Sequence, residues 1–448
     1  MAPRSLPSLP PGPSAPSASP VSSAPSAPSS VPSAPFAPTV PATPPAAFAA
    51  PPVPSPSSAT AVPAPAAGPA AVQAGRGPAD RPHLTELRLS AFAGHRRAGF
   101  PLGPFTLLAG PSGSGKSTAL RAYEALARLG GGAELGEVFA DPAACVPERA
   151  RPDAQRRRGF RIGCTADGPQ GPVRLDLAVQ AEPELRIVGE RLTAGGLVLL
   201  ETALRDPGRR TVQAAWHTAG SAPVTRAPLP DDRLGTALLP LRVAGKTDGQ
   251  RQVLAAAEQM VVALRSVFSC DPRPERMRAP VPAGPGRLLG DCANLADVLW
   301  RTQAECGRRH GQFVAAVRAG CAGPVAGVVA ELLPGGAVHA QLDRGDGIRS
   351  RLDRLGDGEL RYIALALVLL TGPGVFEVDP AREVPAAFQT LTVLADGFDR
   401  ALDERQRAEL LRLAARTGGS GHLRCVGTVS DASWAVGTAG VTVVHLDP

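Results

Sequence analysis

Gly110-Pro111-Ser112-Gly113-Ser114-Gly115-Lys116-Ser117-Thr118 fits the pattern G-x-x-x-x-G-K-[ST]. Before it, Phe105-Thr106-Leu107-Leu108-Ala109 is a short apolar run suited to a buried strand. After it, residues 118–126 are good helix formers. A strand, a glycine loop and a helix N-terminus together make an anion site, because backbone N–H groups converge on one point where the helix dipole favours negative charge. In that frame Lys116 reaches the β- and γ-phosphates of a nucleotide and the Ser117 hydroxyl ligates Mg²⁺. The expected fold is α/β of the P-loop NTPase type.

The lysine economy of the chain sharpens this reading. Of 47 Lys and Arg residues only two are lysines, Lys116 and Lys246. Arginine serves nearly everywhere else. Lys116 stands where a compact point charge on a flexible stem is needed, a task a planar guanidinium does not perform.

The 448 residues do not all belong to folded domains. Residues 1–80 are dominated by Pro, Ala and Ser, with almost no charge and only Phe36 and Phe48 as aromatics. Such a stretch cannot bury enough apolar surface to offset chain entropy, so a disordered tail is expected. The tail is a spacer or a docking segment for a proline-reading protein partner. No apolar core follows the start, so no signal peptide is expected. No run approaches the ~20 apolar residues of a membrane span. Seven scattered cysteines without a Cys-x-x-Cys pair suggest free thiols in a reducing cytoplasm and exclude a zinc framework. The net charge of +7 permits an anionic partner without requiring one. The densest basic stretch, Arg149 to Arg161, suits either a nucleic-acid contact or a solvated loop.

A P-loop needs a partner acid at the end of a neighbouring strand. Leu391-Thr392-Val393-Leu394-Ala395-Asp396 supplies it, and Asp396 would face Ser117 across Mg²⁺. Ala401-Leu402-Asp403 follows. Upstream, Leu355-Gly356-Asp357-Gly358-Glu359-Leu360-Arg361 opens an apolar helix at 362–370 and forms a second anion-binding turn. In this order the motifs resemble the ATP-binding-cassette ATPases, and most specifically the predicted ATPases related to RecF, SMC and OLD proteins. Residues 84–92 are similar to their opening strand, 355–361 to their signature loop, 294–299 to a segment they carry before it, and Leu402-Asp403 to their D-loop. The resemblance covers 84–448. It implies a cassette-type head with an antiparallel β side sheet (133–240) and a helical insertion (241–345), set between a P-loop half (81–132) and a signature half (346–448). It also implies a homodimer that sandwiches two Mg²⁺–ATP. Leu355, Gly356, Asp357, Gly358 and Glu359 would then meet the partner's nucleotide. Work on DNA follows by analogy only.

Four departures from the family bear on catalysis. Gly397 stands where the family has a glutamate that polarises the attacking water, and losing a general base costs roughly 10²–10⁴-fold. Gly356 replaces the signature serine. The expected switch histidine is absent, leaving Thr428, Ser430 or Asp431 in its place. Gln170 is the nearest candidate for the family's loop glutamine. The expectation is firm nucleotide binding with slow hydrolysis, Lys116 and Asp396 acting on the phosphates and Asp399 or Asp403 replacing the missing base. The alternative is a hydrolysis-deficient, nucleotide-gated scaffold. Alternating apolar residues at 173–179, 184–188, 197–201 and 211–216 predict the wet-faced sheet, with Trp216 in its core. The spacing at 250–268 predicts a helix. No heptad persists, so no coiled-coil arm is expected. A proline-punctuated loop carries Arg273, Arg276 and Arg278, which suit either phosphate contacts or a solvated loop.

Overall fold

The two apolar runs flanking the motif residues, 105–109 and 391–395, are buried along their whole length, as strands of a parallel sheet covered on both faces must be. The computed structural model describes residues 81–447 apart from 220–222, 373–374, 377–384, 386–387 and 419–420. The tail at 1–80 lies outside the described residues, all of which fall within the unit Ala67–Pro448.

The first elements are β1 (His83–Phe92), β2 (His95–Pro101), β3 (Phe105–Ala109), α1 (Lys116–Gly130) and a single turn, α2 (Leu135–Val138). Next come β4 (Arg158–Asp167), β5 (Val173–Glu182), β6 (Arg186–Ala194), β7 (Leu197–Ala203), β8 (Thr211–His217) and β9 (Val224–Pro230). Helices α3 (Gly235–Leu238) and α4 (Asp248–Arg265) lead to β10 (Val267–Cys270), α5 (Pro274–Met277) and β11 (Val281–Pro282). Then follow α6 (Leu295–Glu305), α7 (Gly307–Gly320), β12 (Gly327–Leu332), β13 (Ala337–Gly345) and β14 (Ile348–Arg351). The last elements are α8 (Asp357–Leu370), β15 (Leu391–Ala395), α9 (Glu404–Gly418), β16 (Leu423–Val429) and β17 (Val441–His445).

The central sheet has five parallel strands in the order β10-β15-β16-β3-β17. Successive residues of its strands feed opposite cores, because side chains alternate across a strand. Leu107, Val393 and Cys425 join one core with α6, α7, α8 and α9, while Leu108, Leu394 and Val426 join the other with α1 and α4. Tyr123 on α1 is fully buried in the second core, and its hydroxyl lies 3.4 Å from Thr392 Oγ1 on β15.

An eight-stranded antiparallel sheet, β2-β1-β4-β5-β6-β7-β8-β9, packs its apolar face on α4. Trp216 is buried there, its indole nitrogen without a hydrogen-bond partner. This sheet begins earlier than the alternation at 173–216 suggests, taking in β1 and β2 from before the P-loop. The segment 241–345 is not wholly helical either. It carries α4, α6 and α7, but β10 leaves it to edge the central sheet, and β11, β13 and β12 form a small sheet extended by β14. The alternating burial of Gly327–Leu332 explains why: one face of β12 is covered and the other is not. No helix of the described residues is long and apolar enough to cross a membrane.

Candidate functional site

Residues 110–115 join β3 to α1 through a turn that only glycine makes without strain. Gly113 and Gly115 take φ values of +87° and +89°. Gly115 is the N-cap of α1 and supplies no side-chain cap, so the first N–H groups of a helix of 15 residues are left to face the loop. Pro111, Ser112 and Gly113 are exposed while Ser114 is buried. The Lys116 ammonium is drawn over the loop, donating to the carbonyl oxygens of Gly110 and Pro111 at 2.7 Å each. A helix N-terminus without a side-chain cap, with a cation beside it, can receive an anion.

The neighbouring strands bring the acid. Asp396 follows β15, and the Ser117 hydroxyl donates to its Oδ1 at 2.9 Å. Thr428 near the end of β16 donates to the same oxygen at 2.6 Å and accepts from the Gly397 N–H at 2.7 Å. A hydroxyl and a carboxylate oxygen side by side are the hard donors that Mg²⁺ takes while keeping waters and phosphate oxygens for its other positions. The donor set therefore fits Mg²⁺. Among the described residues no cluster of three or more His, Cys, Asp or Glu side chains would hold a metal without such help.

The remaining candidates scatter. Asp399 accepts from Ser430 N and Oγ at 3.1 Å, turned toward the β16 end. Asp403 accepts from Gln406 N at 2.7 Å at the start of α9. Asp431 accepts from Ser433 N at 3.1 Å. Gln170 sits in the β4–β5 turn, its backbone N–H donating to Gln259, and it is not placed beside the loop. Gly356 and Asp357 are exposed at the head of α8, whose axis starts there, while Leu355 is buried. Glu359 accepts from Ala322 N at 3.1 Å. Leu402 is buried. Of the basic stretch, Arg157 pairs with Asp153 and Arg158 with Glu182, while in the proline-punctuated loop Arg278 ties the turn before α8 by donating to Leu355 O at 2.7 Å and pairing with Asp357.

A cleft of about 570 Å³ opens beside Ser117 and Asp396, lined also by Asp271, Arg273, Arg276 and Asp291. Sequence reading missed its acidic wall. Asp271 directly follows β10, and β10 runs parallel to β15 with Cys270 opposite Ala395. Asp271 and Asp396 are thus the next residues on adjacent strands, at the carboxyl ends where such sheets bind ligands. His95 was missed too: its Nε2 lies 3.0 Å from Gly115 O, and its ring fills the space beside that glycine. The apolar run before Asp271 is only four residues long, and nothing local marks His95.

No protein-family model matches the chain, and no curated protein matches it. Among solved structures it is similar to an SMC head bound to the C-terminal winged-helix domain of ScpA, at 13% identity and a TM-score of 0.42, covering 78% of this chain and 90% of that one. It is also similar to the SMC head domain from Thermotoga maritima, at 14% identity and a TM-score of 0.38, covering 79% and 92%. A third is an SMC head with an extended coiled coil bound to the C-terminal domain of ScpA derived from Pyrococcus furiosus, at 12% identity and a TM-score of 0.40, covering 82% and 94%.

Proposed function

We propose that the chain is an ATP-binding protein with a cassette-type ATPase head that holds Mg²⁺–ATP on the loop 110–118 and hydrolyses it slowly. The observation that carries this is the 2.9 Å approach of Ser117 Oγ to Asp396 Oδ1, two residues far apart in sequence meeting beneath an uncapped helix N-terminus. Backbone N–H groups of the loop would receive the β-phosphate, and Lys116 would exchange the Gly110 and Pro111 carbonyls for phosphate oxygens. Ser117 and Asp396 would hold Mg²⁺, which would supply neutralisation of phosphate charge. The exposure of Gly356 and Asp357 at the head of α8 supports a closed dimer in which this turn caps the nucleotide of a second copy.

Binding of a fluorescent ATP analogue tests the reading. Lys116→Ala should weaken it by at least about 100-fold, the loss of a charge-assisted contact worth roughly 3 kcal/mol. Chelating Mg²⁺ should weaken it for the wild type and change little for Asp396→Asn. Unaltered binding in Lys116→Ala would sink the proposal. Light scattering with a slowly hydrolysed analogue checks the dimer, and a retained monomer mass removes it. A DNA partner rests on family resemblance. Retention on a filter that falls steeply with salt would support it, and no retention at low salt would end it.

Gly397 favours a second reading, a nucleotide-gated scaffold without turnover. Phosphate release above the Lys116→Ala background separates the two.

A further inference from the structure

We infer that Asp271 is the carboxylate that orients the attacking water, in the role that Gly397 leaves unfilled. This rests on the nucleotide reading above and names a residue within that site. The register of β10 against β15 sets Asp271 beside Asp396 on the floor of one cleft, with Ser117 on its wall. Its backbone is fixed, since Asp271 N donates to Gly290 O at 2.8 Å and Arg273 N to Asp291 O at 3.0 Å. Its side chain is fixed as well. Arg361, buried in α8, donates to Asp271 Oδ1 at 3.3 Å and to Gly397 O at 2.9 Å. Arg400 donates to the same Asp271 oxygen at 3.4 Å.

Position 397 is poorly placed to supply the carboxylate, since its φ of +61° disfavours a side chain. A side chain at position 397 would have its Cβ 2.8–3.0 Å from the Arg400 guanidinium. The volume next to the metal-binding aspartate is therefore filled by a cation, and that cation holds Asp271. Of the other acids nearby, Asp399 is engaged by Ser430, Asp403 by the first turn of α9 and Asp291 by Arg276, while Glu124 lines the same cleft from α1, two turns beyond Ser117. Asp271 keeps one oxygen for the cleft, where more than a third of its side chain is exposed. In the step it serves, the water oxygen bonds to the γ-phosphorus while the bond from that phosphorus to the β,γ-bridging oxygen breaks. The bonding pair leaves on ADP. The water proton passes to Asp271 and from there to the departing phosphate.

The test uses the full chain, with ATP-analogue binding and phosphate release measured on the same samples. Asp271→Asn should lower kcat by at least about 100-fold, the smaller end of what a general base contributes, with KM for ATP and analogue affinity unchanged within about twofold. Asp271→Glu should recover part of the loss. An Asp271→Asn kcat within about twofold of wild type overturns the inference, as does loss of analogue binding in that variant, which would mark a structural role. Wild-type release no greater than that of Lys116→Ala, with binding intact, also overturns it. Absence of wild-type binding instead removes the nucleotide reading itself. Should Asp271→Asn not fold, the exposed Arg400→Gln carries the test: the same fall in kcat at constant KM supports the inference, and a normal kcat refutes it.

Discussion

Gly397 sits in the left-handed region at φ +61°, and that single angle changes what its identity means. From sequence it marks a missing glutamate. In the structure the backbone there disfavours any side chain, and the space a side chain would take holds the Arg400 guanidinium. Gly397→Glu should therefore fail to raise turnover. The new carboxylate would displace Arg400 and leave Asp271 without one of its two cations. It should also cost about 1–3 kcal/mol of stability, the usual range for a non-glycine residue forced into such a conformation. Urea midpoints and phosphate release measured together check both parts, and a faster variant would show that the glutamate was simply lost. The meeting of Ser117 with Asp396 follows from local signals at each end, a glycine loop and a buried apolar strand closed by an acid. Asp271 has no such signal, because its meaning comes from which strand pairs with which.

At the scale of elements, α8 and the turn before it show how unequal two glycines one residue apart are. Gly356 has an ordinary φ of −67° and open space around its would-be Cβ. Gly358 packs so closely against the loop before α9 that a Cβ would overlap the Ala401 carbonyl oxygen. Gly356→Ser, which adds the hydroxyl the family pattern has there, should leave stability within ±0.5 kcal/mol. Gly358→Ala should cost about 1–3 kcal/mol, since the contact is with backbone and cannot yield by a rotamer change. Thermal unfolding of the two variants side by side tests the pair, and equal losses would contradict the packing described. The α8 helix itself was legible, because 360–369 is an unbroken run of residues that proved buried. Its ties were not. Arg278 reaching back to Leu355 and Asp357 joins segments whose contact no periodicity records.

Over the whole molecule, two cores lie on opposite faces of one parallel sheet, and the cysteines report on both. Cys164 is buried under α4 in one core, while Cys270, Cys292, Cys321 and Cys425 are buried in the other. Cys145 and Cys306 are partly exposed. Burial pushes the Cys164 and Cys321 thiols up to about 12 and raises Cys425 further, while a hydrogen bond with the Cys270 thiol, aided by burial, raises Cys292. Only the thiolate attacks a disulfide reagent. At pH 8 a thiol titrating near 12 is ionised to about one part in 10⁴, so these groups are protected by charge as well as by access. Native protein should thus release colour from an aromatic disulfide at two thiols, and denatured protein at all seven. If ATP closes the head without opening either core, the native count stays at two in its presence. Early reaction of a third thiol would place an opening between the sheet and one of its helical layers, and a single-cysteine series would say which.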